Sequence, residues 1–436
     1  MSLRNLCADM LEIFTNPSPS RWANLCARTK AEQSAEIATA VAGILEEVRR
    51  NGDKALLCFE KKFDRAEISS LEVSEAEKAE AENAVPRALK QALAVAKSDI
   101  ENFHRAQLPS PVSVETVKGV TCHQRTVPIQ KVGLYIPGGR APLFSTVLML
   151  AVPAAVAGCP DVILCSPPGP DGRLAPSIIY AATLCGVKHI YKCGGAQAIG
   201  AMAYGTETIS RRDKIFGPGN RYVMAAKQAV SLSDVAIDMP AGPSEVMVLA
   251  DSTAVPSFVA ADLLSQAEHG PDSQAMLVCT SQDIASSVKA EVLDQMGRLS
   301  RAESVTSSLD GSRIVVLGRE EMADFVNEYA PEHLILSLSD PWEMAGKIVA
   351  AGSVFIGNYS TESAGDYASG TNHTLPTNGW ARSYSGVNTD SFMRKITYQE
   401  LTPEGLHSLA PTIIQMASAE GLDAHANAVK IRLDNL

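Results

Sequence analysis

The chain has 436 residues, 46% of them hydrophobic, and a formal net charge of -11. That length accommodates two or three domains around a large core, and the acidic balance argues against non-specific nucleic-acid binding. The most apolar run, 147–157, is too short to span a bilayer and contains Pro153. Arg4, Asp9 and Glu12 interrupt the first twenty residues, which is not a signal-peptide pattern. Nine cysteines at irregular spacing, without a CxxC pair, read as reduced thiols of a cytoplasmic protein.

In chain order, the first ~110 residues predict mostly helix, with apolar residues at helical spacing over 53–63 and 87–107. Strands are expected over 112–117 and 120–135. From Tyr135 the pattern alternates: a buried helix over 143–157, a strand over 162–165, a helix over 178–184 and a strand over 189–192. A helix over 196–203, a strand over 214–216 and a helix over 222–230 follow. A second alternating set places strands at 246–250, 275–279, 314–317, 333–338 and 354–357. Such alternation predicts an α/β protein with two parallel-sheet units and helices on both faces. After Thr371 the chain reads as loop, TNHTLPTNGWARSYSG, and then as two helices. Thr402-Pro403-Glu404 suits the start of the first, with Thr as N-cap and Pro at N1, and the second is expected over 423–433.

Several short stretches carry chemistry. In LLSQAEHGPDS, Gln266 and His269 are three apart near a helix end closed by Gly270-Pro271, so both side chains leave one face. This is either a capped surface helix with a histidine or half of a metal site. Asp366, in ESAGDYASG, is either a ligand or the acceptor of an Asx turn. Pro331-Glu332-His333 sets a carboxylate beside an imidazole at a helix-to-strand junction. Strand neighbours point to opposite faces, so the two share a cavity only if the backbone there is irregular; otherwise they are a solvent-facing pair. The imidazole is suited to moving protons near neutral pH. Glycine-rich turns at 136–142, 193–200 and 216–220 precede helices. They read as packing turns or as places where a backbone meets a phosphate, and none is G-x-G-x-x-G.

The blocks KVGLYIPGGRAPLFSTVLMLAVPAAVAGC, GGAQAIGAMAYGTE, KIFGPGN, IDMPAGPSEV, LLSQAEHGPDSQ, YAPEHLI, ESAGDYASGTNHTLPT and EGLDAHANAV follow one another along the chain. Together they resemble the histidinol dehydrogenase family, from about residue 30 to the C-terminus. The resemblance implies an aldehyde-dehydrogenase-like fold of two Rossmann-like parallel-sheet domains. One is discontinuous, 30–134 plus 245–385; the other, 135–244, is inserted into it. A helical extension over 1–29 and a helical dimerisation tail over 386–436 complete it.

The resemblance further implies zinc- and NAD+-dependent oxidation of L-histidinol to L-histidine through L-histidinaldehyde, in the last steps of histidine biosynthesis. Its zinc ligands fall on Gln266, His269, Asp366 and His425, and its proton-transfer pair on Glu332 and His333. Substrate contacts fall on Ser244, Gln266, His269, His333, Asp366, Glu420 and His425, and NAD+ contacts on Tyr135, Gln197 and Asn220. The family is homodimeric, with Glu420 and His425 serving the neighbouring subunit. Arg140 stands where family members often carry a small hydroxyl residue, and His373 receives no role. The competing enzyme reading is a paralogue that oxidises another alcohol, such as a sulfopropanediol. A non-catalytic metal-binding protein on the same fold would have lost Glu332, His333 or a ligand, and all are present.

Overall fold

The computed structural model describes residues 10–28, 35–138, 142–240, 242–299 and 302–435. Arg140 lies outside the described residues. In chain order the strands are β1 (Glu12–Thr15), β2 (Val112–Val117), β3 (Val120–Pro128), β4 (Lys131–Tyr135), β5 (Asp161–Ser166), β6 (His189–Lys192), β7 (Lys214–Phe216), β8 (Ala236–Ile237), β9 (Glu245–Ala250), β10 (Gln274–Cys279), β11 (Arg313–Val316), β12 (His333–Ser337), β13 (Ser353–Ile356) and β14 (Met393–Leu401).

The runs EVMVLA, QAMLVC, RIVV and HLILS at β9 to β12 lack polar alternation, the pattern of strands covered on both faces. Their residues are buried almost throughout. They form the centre of a six-stranded parallel sheet in the order β1-β11-β10-β9-β12-β13. A second parallel sheet runs β6-β5-β4-β7-β8. A third, antiparallel, runs β14-β3-β2. Among the described residues, no helix is long and apolar enough to cross a membrane.

Most parallel strands fall within a residue or two of their expected positions; the two-residue β8 was not expected. Three expectations fail where pairing is long-range. The stretch 120–135 is not one strand: β3 ends at Pro128, which has no N–H for a ladder, and β4 begins in a different sheet. Within the N-terminal extension expected to be helical, Glu12–Thr15 is an edge strand paired to β11. The tail expected to be helical contains β14, whose nine residues pair antiparallel along β3, from Met393 opposite Pro128 to Leu401 opposite Val120. Two helices follow, Pro403–Ala419 and Asp423–Leu433, and the Thr402 hydroxyl caps the first by accepting from Gly405 N at 3.1 Å.

Helix Phe144–Ala157 is buried nearly all round and carries Pro153 inside it. Proline leaves the carbonyl four residues earlier without its helical donor. That carbonyl belongs to Met149, and the side chain of Asn372 donates to it at 2.6 Å. The loop-like stretch after Thr371 is thus tied into the core. Asn372→Ala should cost about 1–3 kcal/mol by orphaning a buried carbonyl, measured by urea unfolding; an unchanged midpoint would show that the carbonyl finds another donor.

Chain order also reverses within each parallel sheet, between β4 and β7 in one and between β9 and β12 in the other. Ligands in open α/β sheets gather at the carboxyl side of such a reversal.

Candidate active site

The sequence placed a carboxylate and an imidazole side by side at Glu332-His333. The structure buries both. Strand alternation does not separate the two, because β12 begins at His333 and Glu332 lies in the bend before it; Ala330, at φ 53 in the left-handed region, closes the preceding helix Arg319–Tyr329. Residue 245, on the neighbouring strand β9, then holds the pair through its main chain. Glu245 N donates to Glu332 Oε2 at 2.8 Å, and its carbonyl lies 3.2 Å from His333 Nδ1. Only a protonated Nδ1 can donate to that carbonyl, which leaves the lone pair on Nε2. Nε2 lies 3.8 Å from Asp366 Oδ1. Burial pulls His333 down to about 3 and so favours the neutral imidazole. Burial also pushes Glu332 well above the usual carboxylate range.

The Glu245 side chain is itself pinned. Arg28 pairs with its carboxylate through Nε and Nη2, and also donates to the carbonyls of Tyr329 and Ala330. His333 opens β12 and Glu245 opens β9, so the pair sits at the amino edge of the six-stranded sheet, not at the carboxyl edge.

Asp366 lies on the short helix Glu362–Tyr367. Among the described residues, potential ligand atoms of His269, Glu362 and Asp366 fall within 4.8 Å of one another. Helix Pro256–Ala267 stops before His269; the two candidate ligands are linked instead by a turn in which His269 N donates to Gln266 O at 3.2 Å. Gln266 is fully buried, and neither atom of its side-chain amide has a hydrogen-bond partner. An orphaned buried amide is costly. So is a set of buried carboxyls: burial pushes Asp366 up to about 6 and Glu362 well above its ordinary range. A divalent cation bound by these oxygen and imidazole donors would take up the Gln266 amide oxygen and offset the buried carboxyls. The donor set fits zinc.

Glu362 was not singled out in the sequence, although its i,i+4 spacing from Asp366 in ESAGD places the two on one helical face. His373, without an assigned role, also belongs here. Its Nδ1 lies 2.9 Å from the Asp366 carbonyl and its Nε2 3.2 Å from the Thr146 hydroxyl, so it joins the Asp366 helix to Phe144–Ala157. Burial pulls it down to about 4.

Within one chain His425 does not join this group; it and Glu420 are exposed on the terminal helix pair. Those helices pack on each other, and the first also touches β14. Met416, Leu422 and Ile431 on the pair, with Val112, Val114 and Tyr398 on the antiparallel sheet, are exposed apolar residues. Ser244 is half-buried just before β9, where its carbonyl accepts from Gln274 N.

Tyr135, Gln197 and Asn220 come together in one cleft of about 1600 Å³. Tyr135 ends β4, Gln197 follows β6 and Asn220 follows β7, so this cleft lies at the carboxyl edge where strand order reverses. Gly217 (φ 128) makes the turn after β7 possible: a Cβ there would come within 2.0 Å of the Tyr135 carbonyl oxygen. The Asn220 side chain caps helix Arg221–Ser231, accepting from Tyr222 N and Val223 N at 3.0 and 3.2 Å.

The family model for histidinol dehydrogenase matches residues 27–433. The chain belongs to the histidinol dehydrogenase family. It is 55% identical to histidinol dehydrogenase of Bacteroides fragilis over 427 residues, which is 98% of this chain and all of that one. Histidinol dehydrogenase of Vibrio parahaemolyticus is 52% identical, over 94% of this chain and 95% of its own. The crystal structure of histidinol dehydrogenase from Elizabethkingia anophelis superposes with a TM-score of 0.95 at 51% identity, covering 98% of each chain. Membership in this family gives the two neighbouring arrangements, the buried Glu332-His333 pair and a cation-shaped donor set, one common setting.

Proposed function

We propose that the chain oxidises L-histidinol to L-histidine through L-histidinaldehyde, as a zinc-dependent, NAD+-dependent cytoplasmic homodimer of histidine biosynthesis. The observation that carries this reading is the orientation of His333. Its Nδ1 is held on a carbonyl and its Nε2 is turned toward Asp366 in the donor group. Gln266, His269, Asp366 and, from a second copy of the chain, His425 would hold the zinc, which when bound supplies orientation of the substrate imidazole and amino group. Tyr135, Gln197 and Asn220 would hold NAD+, and two NAD+ in turn would accept the two hydrides.

The remaining chemistry belongs to the chain. His333 Nε2 takes the alcohol proton as hydride leaves. Glu332, a stronger base for its burial once ionised, draws a proton from water as it adds to the aldehyde, while His333 returns its proton to the aldehyde oxygen; the second hydride leaves readily from the hydrate so formed. His333 then takes the proton of the hydrate hydroxyl. Ser244 and Glu420 complete the substrate contacts, Glu420 from the second copy. Exposure of Glu420 and His425, beside exposed apolar residues of the tail, supports their use across a dimer.

The testing experiment follows NADH from L-histidinol before and after chelation. The expected result is about two NADH per histidinol, lost on chelation and restored by zinc. A folded, zinc-loaded protein that makes no NADH would overturn the reading.

A further inference from the structure

We infer that Glu60 is a positioning residue for the nucleotide cleft: its buried carboxylate fills the donors at the start of helix Gly195–Tyr204 and fixes the amide of Gln197. The inference rests on reading that cleft as the NAD+ site.

Glu60 opens a π-helical turn, Glu60–Asp64, that continues helix Ala35–Phe59. A π turn inserts one extra residue and often marks a functional position. Here it buries Glu60 completely, while its neighbours Phe59, Phe63 and Asp64 line the cleft. The two phenylalanine rings stack at 5.5 Å, nearly parallel. Glu60 is not itself among the cleft residues. It reaches the far side of the wall, where its Oε1 accepts from Gly194 N at 3.1 Å and from Gln197 Nε2 at 3.0 Å.

Gly195 N donates to the Tyr135 hydroxyl oxygen at 3.1 Å. The N-terminus of a helix ordinarily offers such N–H groups to a phosphate. In this chain the Gly194 and Gly195 donors are taken by Glu60 and Tyr135, so the glycines serve the wall of the cleft instead of a pyrophosphate cradle. Two of the three expected cofactor contacts, Tyr135 and Gln197, are fixed by this one turn. With Nε2 on Glu60, the Gln197 Oε1 lies beneath Gly195: a Cβ at residue 195 would come within 2.6 Å of it, and φ there is +59. Glu60 therefore selects which end of the Gln197 amide faces which way. Its other oxygen, Oε2, is buried without a hydrogen-bond partner, so both contacts depend on Oε1 alone. A glutamine at position 60 keeps that oxygen; a leucine of similar size removes it.

The test measures NADH affinity by fluorescence on zinc-stripped protein, and KM and kcat on the zinc enzyme. Glu60→Leu should weaken NADH about tenfold and raise KM for NAD+ by the same factor. kcat at saturating NAD+ and KM for histidinol should move less than about threefold. Glu60→Gln should stay close to wild type. A merely structural role would lower thermal stability without this split between the two substrates. Gln197→Ala separates the two readings. If it leaves NADH affinity unchanged, the cleft is not the cofactor site and the inference falls with that reading. If it weakens NADH while Glu60→Leu binds as wild type, the cofactor reading stands and the role of Glu60 is overturned. Equal losses in Glu60→Gln and Glu60→Leu would also overturn it, because the shared loss would then be charge and not the acceptor. Should Glu60→Leu not fold, Gly195→Ala disturbs the same amide with Glu60 intact; unchanged NADH affinity there counts against the inference.

Discussion

His333→Asn is expected to lower oxidation of histidinol and of histidinaldehyde alike, each by about 10³-fold. Asparagine is a demanding replacement. Its side-chain NH2 can still donate to the Glu245 carbonyl, which now lies 3.2 Å from His333 Nδ1, so the buried donor site stays filled. What it lacks is a basic nitrogen at the position of Nε2, the atom turned toward Asp366. Both oxidations need a proton removed from a hydroxyl as hydride departs, so one base serving twice must fail twice. Glu332→Gln separates the roles: water addition to the aldehyde should suffer more than alcohol oxidation. Pre-steady-state NADH formation from each substrate distinguishes these cases. If His333→Asn oxidises either substrate at near-normal rate, His333 is not the shared base. Equal losses in Glu332→Gln would remove its role in water activation.

A mixture of two inactive variants is expected to recover activity. His425→Asn and His333→Asn are each predicted to lose nearly all turnover. If the tail of one copy completes the site of another, a heterodimer of the two contains one site with both residues intact. Random reassortment of an equal mixture should then restore about a quarter of wild-type activity. If each tail served its own chain, every site would carry one lesion and the mixture would stay inactive. The physical basis is the exposure of His425 outside the His269, Glu362 and Asp366 group, together with exposed Met416, Leu422 and Ile431 on the same helix pair. Zinc content of the separate variants gives a second readout, because loss of one ligand should weaken metal retention whichever copy supplies it.

Arg28, from the N-terminal segment, grips Glu245 and the carbonyls of Tyr329 and Ala330 at once. Residue 245 in turn grips Glu332 and His333. The Glu332-His333 pair is thus positioned through contacts that span as many as 302 residues of the chain.

Elements whose signals are local can be read from the chain without its fold. Continuous apolar runs specify β9 to β12 because strands covered on both faces need no polar alternation. Thr402-Pro403 specifies a helix start because its cap and its fixed φ act within one turn. Residue types at Gln266, His269, Glu332, His333 and Asp366 were legible as chemistry, and eight ordered blocks were legible as family resemblance. Which residues meet is set by folding. Glu12–Thr15 and Met393–Leu401 are strands because distant partners complete their ladders, and no local pattern encodes such a partner. Pro153 is tolerated because Asn372 arrives from 223 residues away to serve the Met149 carbonyl. Glu60, Glu245 and Glu362 read as ordinary charged residues in sequence. Burial made them something else, since a carboxyl taken out of water must find donors or a cation, and folding alone brings those donors to it.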